Sequence, residues 1–363
     1  MSRRVVPVGF LLIALVLAAC ESSPSPSPSG EPSAGESASA VPTPAPPPAE
    51  GTLALVQERG MLICGINGSL PGFSVLDAAS GETTGFDADF CRAVAAAVLG
   101  DPEAVEFRPL SADARGPALQ SREIDVLIRN TTWTVTRDTD WGLFAPTTFY
   151  DGQGMMVRAA DGIETLADLQ EATICVLTGT TTELNLADVF GAEGIDFTPL
   201  PFGETEQVFS AYDEGSCDAV TTDRSQLVAQ RTTMTTPDDH AILDVVMSKE
   251  PLGPVVPHGD EPWFNVVKWV VFATIEAEEL GITQDNVADM VSSDNPVVAR
   301  LLGAEGDLGL RLEPDWVVNV ISAVGNYGEI YERNLGPGTP FDLDRGPNSL
   351  WTEGGLLYAP PYR

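Results

Sequence analysis

The chain has 363 residues and a formal net charge of −34 at pH 7. Its length is sufficient for two domains that each bury a core. A chain this acidic lacks the basic patches that bind nucleic acids or anionic lipid surfaces, so we expect neither as a partner through charge. It has five cysteines, two histidines and no CxxC motif, so we expect no metal site, and we predict no cofactor.

Residues 1–20 have the pattern of a lipoprotein signal peptide. Arg3 and Arg4 precede an apolar run over 8–16, and Leu17-Ala18-Ala19 stands directly before Cys20. These features define a secretory signal, and small residues before a cysteine resemble the lipobox of bacterial lipoproteins, in which that cysteine is lipidated. The alternative is an ordinary signal peptide with a chance cysteine. The apolar run is too short for a good transmembrane helix.

Residues 21–50 consist mainly of Ser, Pro, Ala, Gly and Glu, with almost nothing to bury. This composition predicts a disordered tether. Together with a lipid on Cys20, it predicts an extracytoplasmic protein that is anchored to the outer face of the cell membrane, in a periplasm or at a cell surface. Contact with the membrane is expected through the lipid only.

Strands and helices alternate after the tether. Residues 61–66, 105–109 and 125–128 are expected as buried strands, and residues 85–100 as a helix with Asp87 as its N-cap. Near-continuous apolar strands between helices are typical of a parallel sheet that is covered on both faces. The fold class is therefore α/β.

The third of these strands becomes polar abruptly at its end. Arg129, Asn130, Thr132 and Arg137 lie in or directly after it, and open α/β sheets bind ligands at the carboxyl ends of their strands. Arg137 is the strongest candidate, because its planar guanidinium suits a carboxylate and keeps its charge when buried. The alternative is a polar loop with Arg137 in a surface salt bridge.

A second series of strands and helices begins after glycines that favour a crossing between lobes. Its strand over 173–177 is followed by Gly179 and a run of threonines at the start of a helix. That helix N-terminus favours an anion, or it is capped by Thr180 with Glu183 in a capping box. A later strand ends in Asp223, and residues 249–256 are a candidate return crossing.

Four cysteines remain after Cys20, so disulfides are the expected state in an exported protein. Three pairings are possible. We favour Cys64–Cys91 and Cys175–Cys217, because each pair lies within one series of strands and helices. The alternative is four reduced, buried cysteines.

Several segments resemble the amino-acid-binding proteins of bacterial ABC importers, and among them the general L-amino-acid-binding subfamily. The segments are 85–90, 129–137, 151–154, 178–183, 218–223, 248–253, 324–334 and 351–363. The resemblance implies a two-lobed venus-flytrap fold of the type II periplasmic-binding kind, in which each lobe is a mostly parallel sheet flanked by helices. Lobe 1 would comprise residues 51–153 and 252–363 with a C-terminal helical extension, and lobe 2 residues 154–251.

The same resemblance implies roles for individual residues. Arg137 and Thr132 would hold the α-carboxylate of an L-amino acid, Thr181 would close over it from the helix of lobe 2 that Thr180 begins, and Asp223 with Asn130 would take the α-ammonium. Many relatives have an aromatic residue at the position of Leu70, where it stacks on the ligand side chain. Nothing in this stretch fixes a single side-chain charge, so we expect broad specificity for L-amino acids. Other aromatic residues could form the wall beside the ligand instead: Phe73, Trp133 and Tyr150. The alternative for each of them is packing in a core.

The predicted function is therefore a receptor that delivers L-amino acids to an ABC permease and its ATPase subunits. A sensory receptor for a separate signalling partner is a weaker alternative. An enzyme of the dehydratase type on the same scaffold is weaker still, because no catalytic motif is present. Such an enzyme needs a general acid in the cleft, and no motif selects one among the candidates Glu82, Glu183 and Asp151.

Overall fold

A computed structural model describes residues 44–306 and 308–363. The predicted signal peptide, the lipidation site Cys20 and most of the predicted tether lie outside these residues. Within them, no helix is both long and apolar enough to cross a membrane. The last residues of the predicted tether contact the folded protein, since the backbone N–H of Ala45 donates to the carbonyl of Gln120 at 2.9 Å.

The first part of the chain forms most of the sheet of one lobe, which we call lobe 1. Its elements are α1 (Gly51–Arg59), β1 (Leu62–Ile66), β2 (Ser69–Leu70), β3 (Ser74–Leu76), β4 (Thr83–Thr84), α2 (Phe86–Leu99), β5 (Val105–Pro109), α3 (Arg115–Gln120), β6 (Val126–Leu127), α4 (Val135–Asp140) and β7 (Gly142–Phe144). The strands predicted over 105–109 and 61–66 are confirmed, the latter starting one residue later.

The middle part forms the second lobe, which we call lobe 2, after one connecting strand. The elements are β8 (Phe149–Asp151), β9 (Gln153–Arg158), β10 (Thr173–Leu177), α5 (Thr181–Glu193), β11 (Thr198–Phe202), α6 (Thr205–Asp213), β12 (Ala219–Asp223), α7 (Arg224–Arg231) and β13 (His240–Ile242). The chain then returns to lobe 1 through β14 (Glu250–Leu252), β15 (Val255–Pro257), α8 (Glu261–Glu279), α9 (Val287–Met290), α10 (Pro296–Leu301), α11 (Trp316–Val324) and α12 (Tyr327–Asn334).

Among the described residues, each lobe has one five-stranded sheet, and β2, β3 and β4 form a separate three-stranded sheet in lobe 1. The order in the five-stranded sheets is β5-β1-β6-β15-β7 in lobe 1 and β11-β10-β12-β9-β13 in lobe 2. Three neighbouring strands in each five-stranded sheet are parallel, whereas β15 in lobe 1 and β9 in lobe 2 pair antiparallel with their neighbours. These two sheets are therefore mixed, because the strands that enter each lobe from the connection run against the others.

The connection between the lobes is a two-stranded antiparallel ribbon of β8 and β14, in which Tyr150 pairs with Pro251. The ribbon also holds the polar segment after β6. Thr132 forms an isolated bridge with Leu252, and the N–H of Trp133 donates to the carbonyl of Pro251 at 2.8 Å. The ribbon and the predicted ligand-binding segment are thus one hydrogen-bonded unit.

Helix α2 begins differently from the prediction. Gly85, with φ 126°, is its N-cap, and Asp87 is wrong as the predicted N-cap because it lies inside the first turn and is buried. A Cβ on residue 85 would lie 2.3 Å from the carbonyl oxygen of Phe73. Only glycine therefore allows this close approach of the helix start to the loop after β2.

Both predicted disulfides are present. Cys64 on β1 bonds to Cys91 on α2 with a Cα–Cα distance of 6.1 Å, and Cys175 on β10 bonds to Cys217 with a distance of 5.7 Å. The first ties a strand of lobe 1 to the helix that covers it, and the second ties a strand of lobe 2 to the turn before β12. All four sulfurs belong to buried residues of the two lobe cores.

Candidate ligand-binding cleft

A small cavity of about 20 Å³ lies between the two lobes. Its lining is polar, with a single aliphatic residue, Leu177. Lobe 1 contributes Arg115, Arg129, Asn130 and Thr132, and lobe 2 contributes Leu177, Thr180, Thr181, Thr182, Thr222, Asp223 and Gln226. The polar ends of β6, β10 and β12 therefore meet at one place, as the carboxyl ends of strands do in open α/β sheets.

Side chains of the two lobes contact each other directly across this cavity. The hydroxyls of Thr132 and Thr181 lie 3.2 Å apart, and the amide of Asn130 donates to Asp223 at 3.3 Å and to Gln226 at 3.0 Å. A cavity of this size holds about one water molecule. A ligand as large as an amino acid must therefore separate these contacts, which requires the lobes to move apart.

Arg137 is buried, with 6% of its surface exposed. Its helix, α4, begins at Thr134, whose hydroxyl accepts from the N–H of Arg137 at 3.2 Å. The guanidinium donates to the carbonyl of Thr132 at 3.0 Å and lies 4.9 Å from the ring centre of Trp141. Burial lowers its pKa, while the negative charges of Glu250 and Asp223 act in the opposite direction. Arg137 therefore lies against the lining residue Thr132 but does not itself line the cavity.

Asp223 ends β12 and is buried in the cleft. Burial raises the pKa of this carboxyl well above its usual range, and the neighbouring carboxylates Asp151 and Glu250 raise it further, whereas the hydrogen bond from Asn130 lowers it. Burial and the two carboxylates thus outweigh the hydrogen bond from Asn130 and the positive charge of Arg115, so the protein compensates the charged carboxylate only in part. An ammonium group on a ligand would supply that compensation.

The N-terminus of α5 combines capping with exposure to the cleft. Thr180 is its N-cap and accepts from the N–H of Glu183 at 3.2 Å. The carboxylate of Glu183 accepts from the N–H of Gly179 at 3.0 Å, one residue earlier than a capping box requires. The hydroxyl of Thr181, the first residue of the helix, donates to the carboxylate of Glu250 at 2.8 Å. The capping interpretation is therefore correct for Thr180 and only approximate for Glu183.

The aromatic residues considered as a wall for the ligand lie elsewhere. Phe73 is fully buried in the aromatic core of lobe 1, with its ring centre 5.2 Å from that of Phe149. Trp133 is 41% exposed and stacks on Phe144. Tyr150 lines a separate cavity of about 630 Å³ beside the ribbon. None of the three lines the cavity between the lobes.

Sequence reasoning overlooked two arginines and a glutamine of the lining. Arg129 follows β6 directly in the sequence, but no ligand-binding role is predicted for it. Arg115 lies on α3, which was expected as an ordinary covering helix, and Gln226 lies on α7. A helix gives no local signal that one of its buried positions faces a cleft and not a core.

Comparisons with known proteins agree with this geometry. The family model described as bacterial extracellular solute-binding proteins, family 3, matches residues 62–337. The chain is 52% identical over 317 residues to the general L-amino acid-binding periplasmic protein of Rhizobium johnstonii, covering 86% of this chain and 93% of the relative. It is 48% identical over 316 residues to the glutamate/glutamine/aspartate/asparagine-binding protein of Rhodobacter capsulatus, with coverage of 86% and 93%.

A solved structure is similar over the same region. It is an ABC transporter/periplasmic binding protein from Brucella ovis with glutathione bound, with a TM-score of 0.84 and 51% sequence identity. The match covers 86% of this chain and 99% of the Brucella chain. The similarity therefore includes both lobes and the ribbon between them.

Proposed function

The chain belongs to family 3 of the bacterial extracellular solute-binding proteins, and from this premise we propose that it captures L-amino acids and delivers them to an ABC-type importer. The observation that carries the proposal is the polarity of the cleft. Guanidinium groups come from lobe 1, and the carboxylate of Asp223 comes from lobe 2. A zwitterion with a carboxylate at one end and an ammonium at the other matches this arrangement.

We infer individual roles from the resemblance together with the contacts. Arg137 and Thr132 would bind the α-carboxylate, and the N-terminus of α5 at Thr180 and Thr181 would approach the same group from lobe 2. Asp223 and Asn130, which contact each other at 3.3 Å, would take the α-ammonium. A ligand held from both lobes stabilises the closed form by its differential affinity for that form.

The rest of the proposal concerns location and partners. Cys20 would carry the lipid and hold the protein at the outer face of the cell membrane, and the partners would be a membrane permease with its ATPase subunits. The ribbon of β8 and β14 would act as the hinge, consistent with lobe boundaries near 153/154 and 251/252. The relatives are transport receptors, which supports a binding protein and not an enzyme.

A ligand screen tests this function. Purified protein is unfolded, dialysed to remove any retained ligand, refolded, and then melted with each of the twenty L-amino acids and with glutathione. A ligand at a hundred times its dissociation constant should add about 2.7 kcal/mol to the free energy of unfolding. The corresponding D-amino acids serve as matched controls and should give much smaller shifts. No shift with any L-amino acid would overturn the proposed function.

A further inference from the structure

Three buried arginines surround the cleft without an ionic partner. Arg115 is 2% exposed, Arg129 is 4% exposed and Arg137 is 6% exposed. Among the described residues, no carboxylate oxygen lies within 4.0 Å of their guanidinium nitrogens. Buried charges in proteins are normally paired, because an unpaired buried ion loses its hydration without compensation.

The hydrogen bonds of these arginines are also incomplete. Arg115 donates through one terminal nitrogen to the carbonyl of Asn130 at 3.2 Å and to the hydroxyl of Thr131 at 3.3 Å. Its Nε is buried and has no partner in the part of the chain that the structure describes. Arg129 uses its Nε for the carbonyl of Leu110 at 3.2 Å. Both arginines line the cavity, and these hydrogen bonds go to carbonyl and hydroxyl oxygens and not to a carboxylate.

The pKa shifts of Arg115 and Arg129 agree with the absence of an ionic partner. Burial lowers the pKa of Arg115, and the positive charges of Arg129 and Arg137 lower it further. Burial also lowers the pKa of Arg129 to about 10, with Asp87 acting in the opposite direction. The three guanidiniums thus repel each other. Arg115 and Arg129 line the cavity, and Asp223 is the one carboxylate among its lining residues. A zwitterionic ligand with a neutral side chain brings a single carboxylate to these three guanidiniums.

We propose that the cleft selects L-amino acids whose side chains end in a carboxylate, and that Arg115 and Arg129 hold this second carboxylate. The inference rests on the proposed function and narrows the broad specificity expected from the sequence. Arg137 takes the α-carboxylate, and Asp223 takes the α-ammonium. A second carboxylate accepts hydrogen bonds from the two remaining guanidiniums.

The rest of the lining supports this assignment. Leu177 is the single aliphatic side chain among the lining residues, and the others carry hydroxyl, amide or charged groups. A leucine or phenylalanine side chain would cover these polar groups without satisfying them, which costs free energy. A side chain with terminal oxygens satisfies them.

Isothermal titration calorimetry with three ligands tests the proposal. L-glutamate and L-glutamine have nearly the same shape and differ in side-chain charge, and L-leucine has a similar size without polar atoms in its side chain. We expect glutamate to bind at least about tenfold more tightly than glutamine and about a hundredfold more tightly than leucine. Arg129→Gln and Arg115→Gln should each reduce the glutamate-to-glutamine preference by about tenfold, because only glutamate loses an ion pair.

Arg108→Gln is the matched control. It makes the same change of charge at a side chain that is 41% exposed and pairs with Glu106 and Glu123, so the preference should not change. If Arg115→Gln does not fold, as judged by its melting transition, the glutamate-to-glutamine preference of the Arg129→Gln variant tests the inference. Equal affinity for the three ligands, or an unchanged preference in a folded variant, would overturn the inference and leave the proposed function intact. Absence of binding by every amino acid would overturn both.

Discussion

The hydroxyl of Thr181 donates a 2.8 Å hydrogen bond to the carboxylate of Glu250. This contact joins the N-terminus of α5 in lobe 2 to β14 of the ribbon, and the same hydroxyl lies 3.2 Å from that of Thr132 in lobe 1. Glu250 also accepts from the amide of Asn185 at 2.8 Å and from the hydroxyl of Ser248. One buried carboxylate therefore links the ribbon to the face of lobe 2 that closes the cleft.

Replacement of Glu250 should show how much this link stabilises the protein. Glu250→Ala leaves three donors around a buried site unpaired, so we expect the free energy of unfolding to fall by about 3 kcal/mol. Glu250→Gln keeps the volume and one acceptor oxygen, so the loss should be about 1 kcal/mol. Urea denaturation measures both. Equal losses for the two variants would show that the donors find other partners.

Gly116 on α3 is predicted to control the positions of two arginines. A Cβ at this position would lie 2.7 Å from Trp141 Cε2, and the ring of Trp141 lies 5.7 Å from the guanidinium carbon of Arg115 and 4.9 Å from that of Arg137. Gly116→Ala should therefore displace the ring and destabilise the fold by about 1–3 kcal/mol. Calorimetry should also detect weaker ligand binding.

Gly191→Ala is the control for that substitution. Gly191 lies in α5, and a Cβ there would meet no atom within 4 Å. The alanine should stabilise the protein by up to about 1 kcal/mol through helix propensity, and ligand affinity should stay the same. If Gly116→Ala behaved in the same way, the contact with Trp141 would not position the arginines.

Arg137→Ala should weaken binding of every L-amino acid by about a hundredfold or more. The expected loss is about 3–5 kcal/mol for removing one partner of a desolvated ionic contact. Arg137→Lys keeps the charge but lacks the planar pair of donors, so its affinity should lie between those of the wild type and Arg137→Ala. A change of less than tenfold for Arg137→Ala in calorimetry would remove this residue from the site.

Asp151 should make stability depend on pH. Burial raises the pKa of this carboxyl to about 6, although hydrogen bonds from Ser225 and Gly152 oppose the rise. The folded state then holds its proton more tightly than the unfolded state does. The free energy of unfolding should therefore fall as pH rises from about 4 to about 6, by on the order of 1–3 kcal/mol.

Asp151→Asn removes this titration. The variant should show a flatter stability profile than the wild type between pH 4 and 6, measured by urea denaturation at several pH values. Above pH 6 the variant should be the more stable protein. Parallel profiles for the two proteins would mean that the Asp151 carboxyl titrates equally in the folded and unfolded states.

The two disulfides should contribute similar amounts to stability. They close segments with sequence separations of 27 and 42 residues, for which chain entropy predicts about 3.5 and about 4 kcal/mol. The double variants Cys64→Ala/Cys91→Ala and Cys175→Ala/Cys217→Ala should lower the urea midpoint accordingly. An unchanged midpoint in either variant would contradict the entropic account for that bridge.

Local sequence patterns were sufficient for the order of strands and helices. The strands at 105–109 and 173–177, the capping of α5 by Thr180 and the pairing of the cysteines all follow from short-range apolar patterns, capping preferences and the layout of the two series. Even there, the N-cap of α2 was assigned wrongly to Asp87, because the need for glycine at residue 85 comes from Phe73, which lies twelve positions away.

The amino-acid sequence by itself determined the two α/β series, the strand ends that carry polar residues and the cysteine pairs, because these depend on interactions between near neighbours or on elements of one series. Only the tertiary structure decided which side chains reach the cleft. Arg115 and Gln226 line it, whereas Phe73 belongs to a core and Trp133 is partly exposed. The reason is that the cleft forms where two lobes approach each other, and the direction in which a helix or loop faces that cleft is set by packing between distant segments.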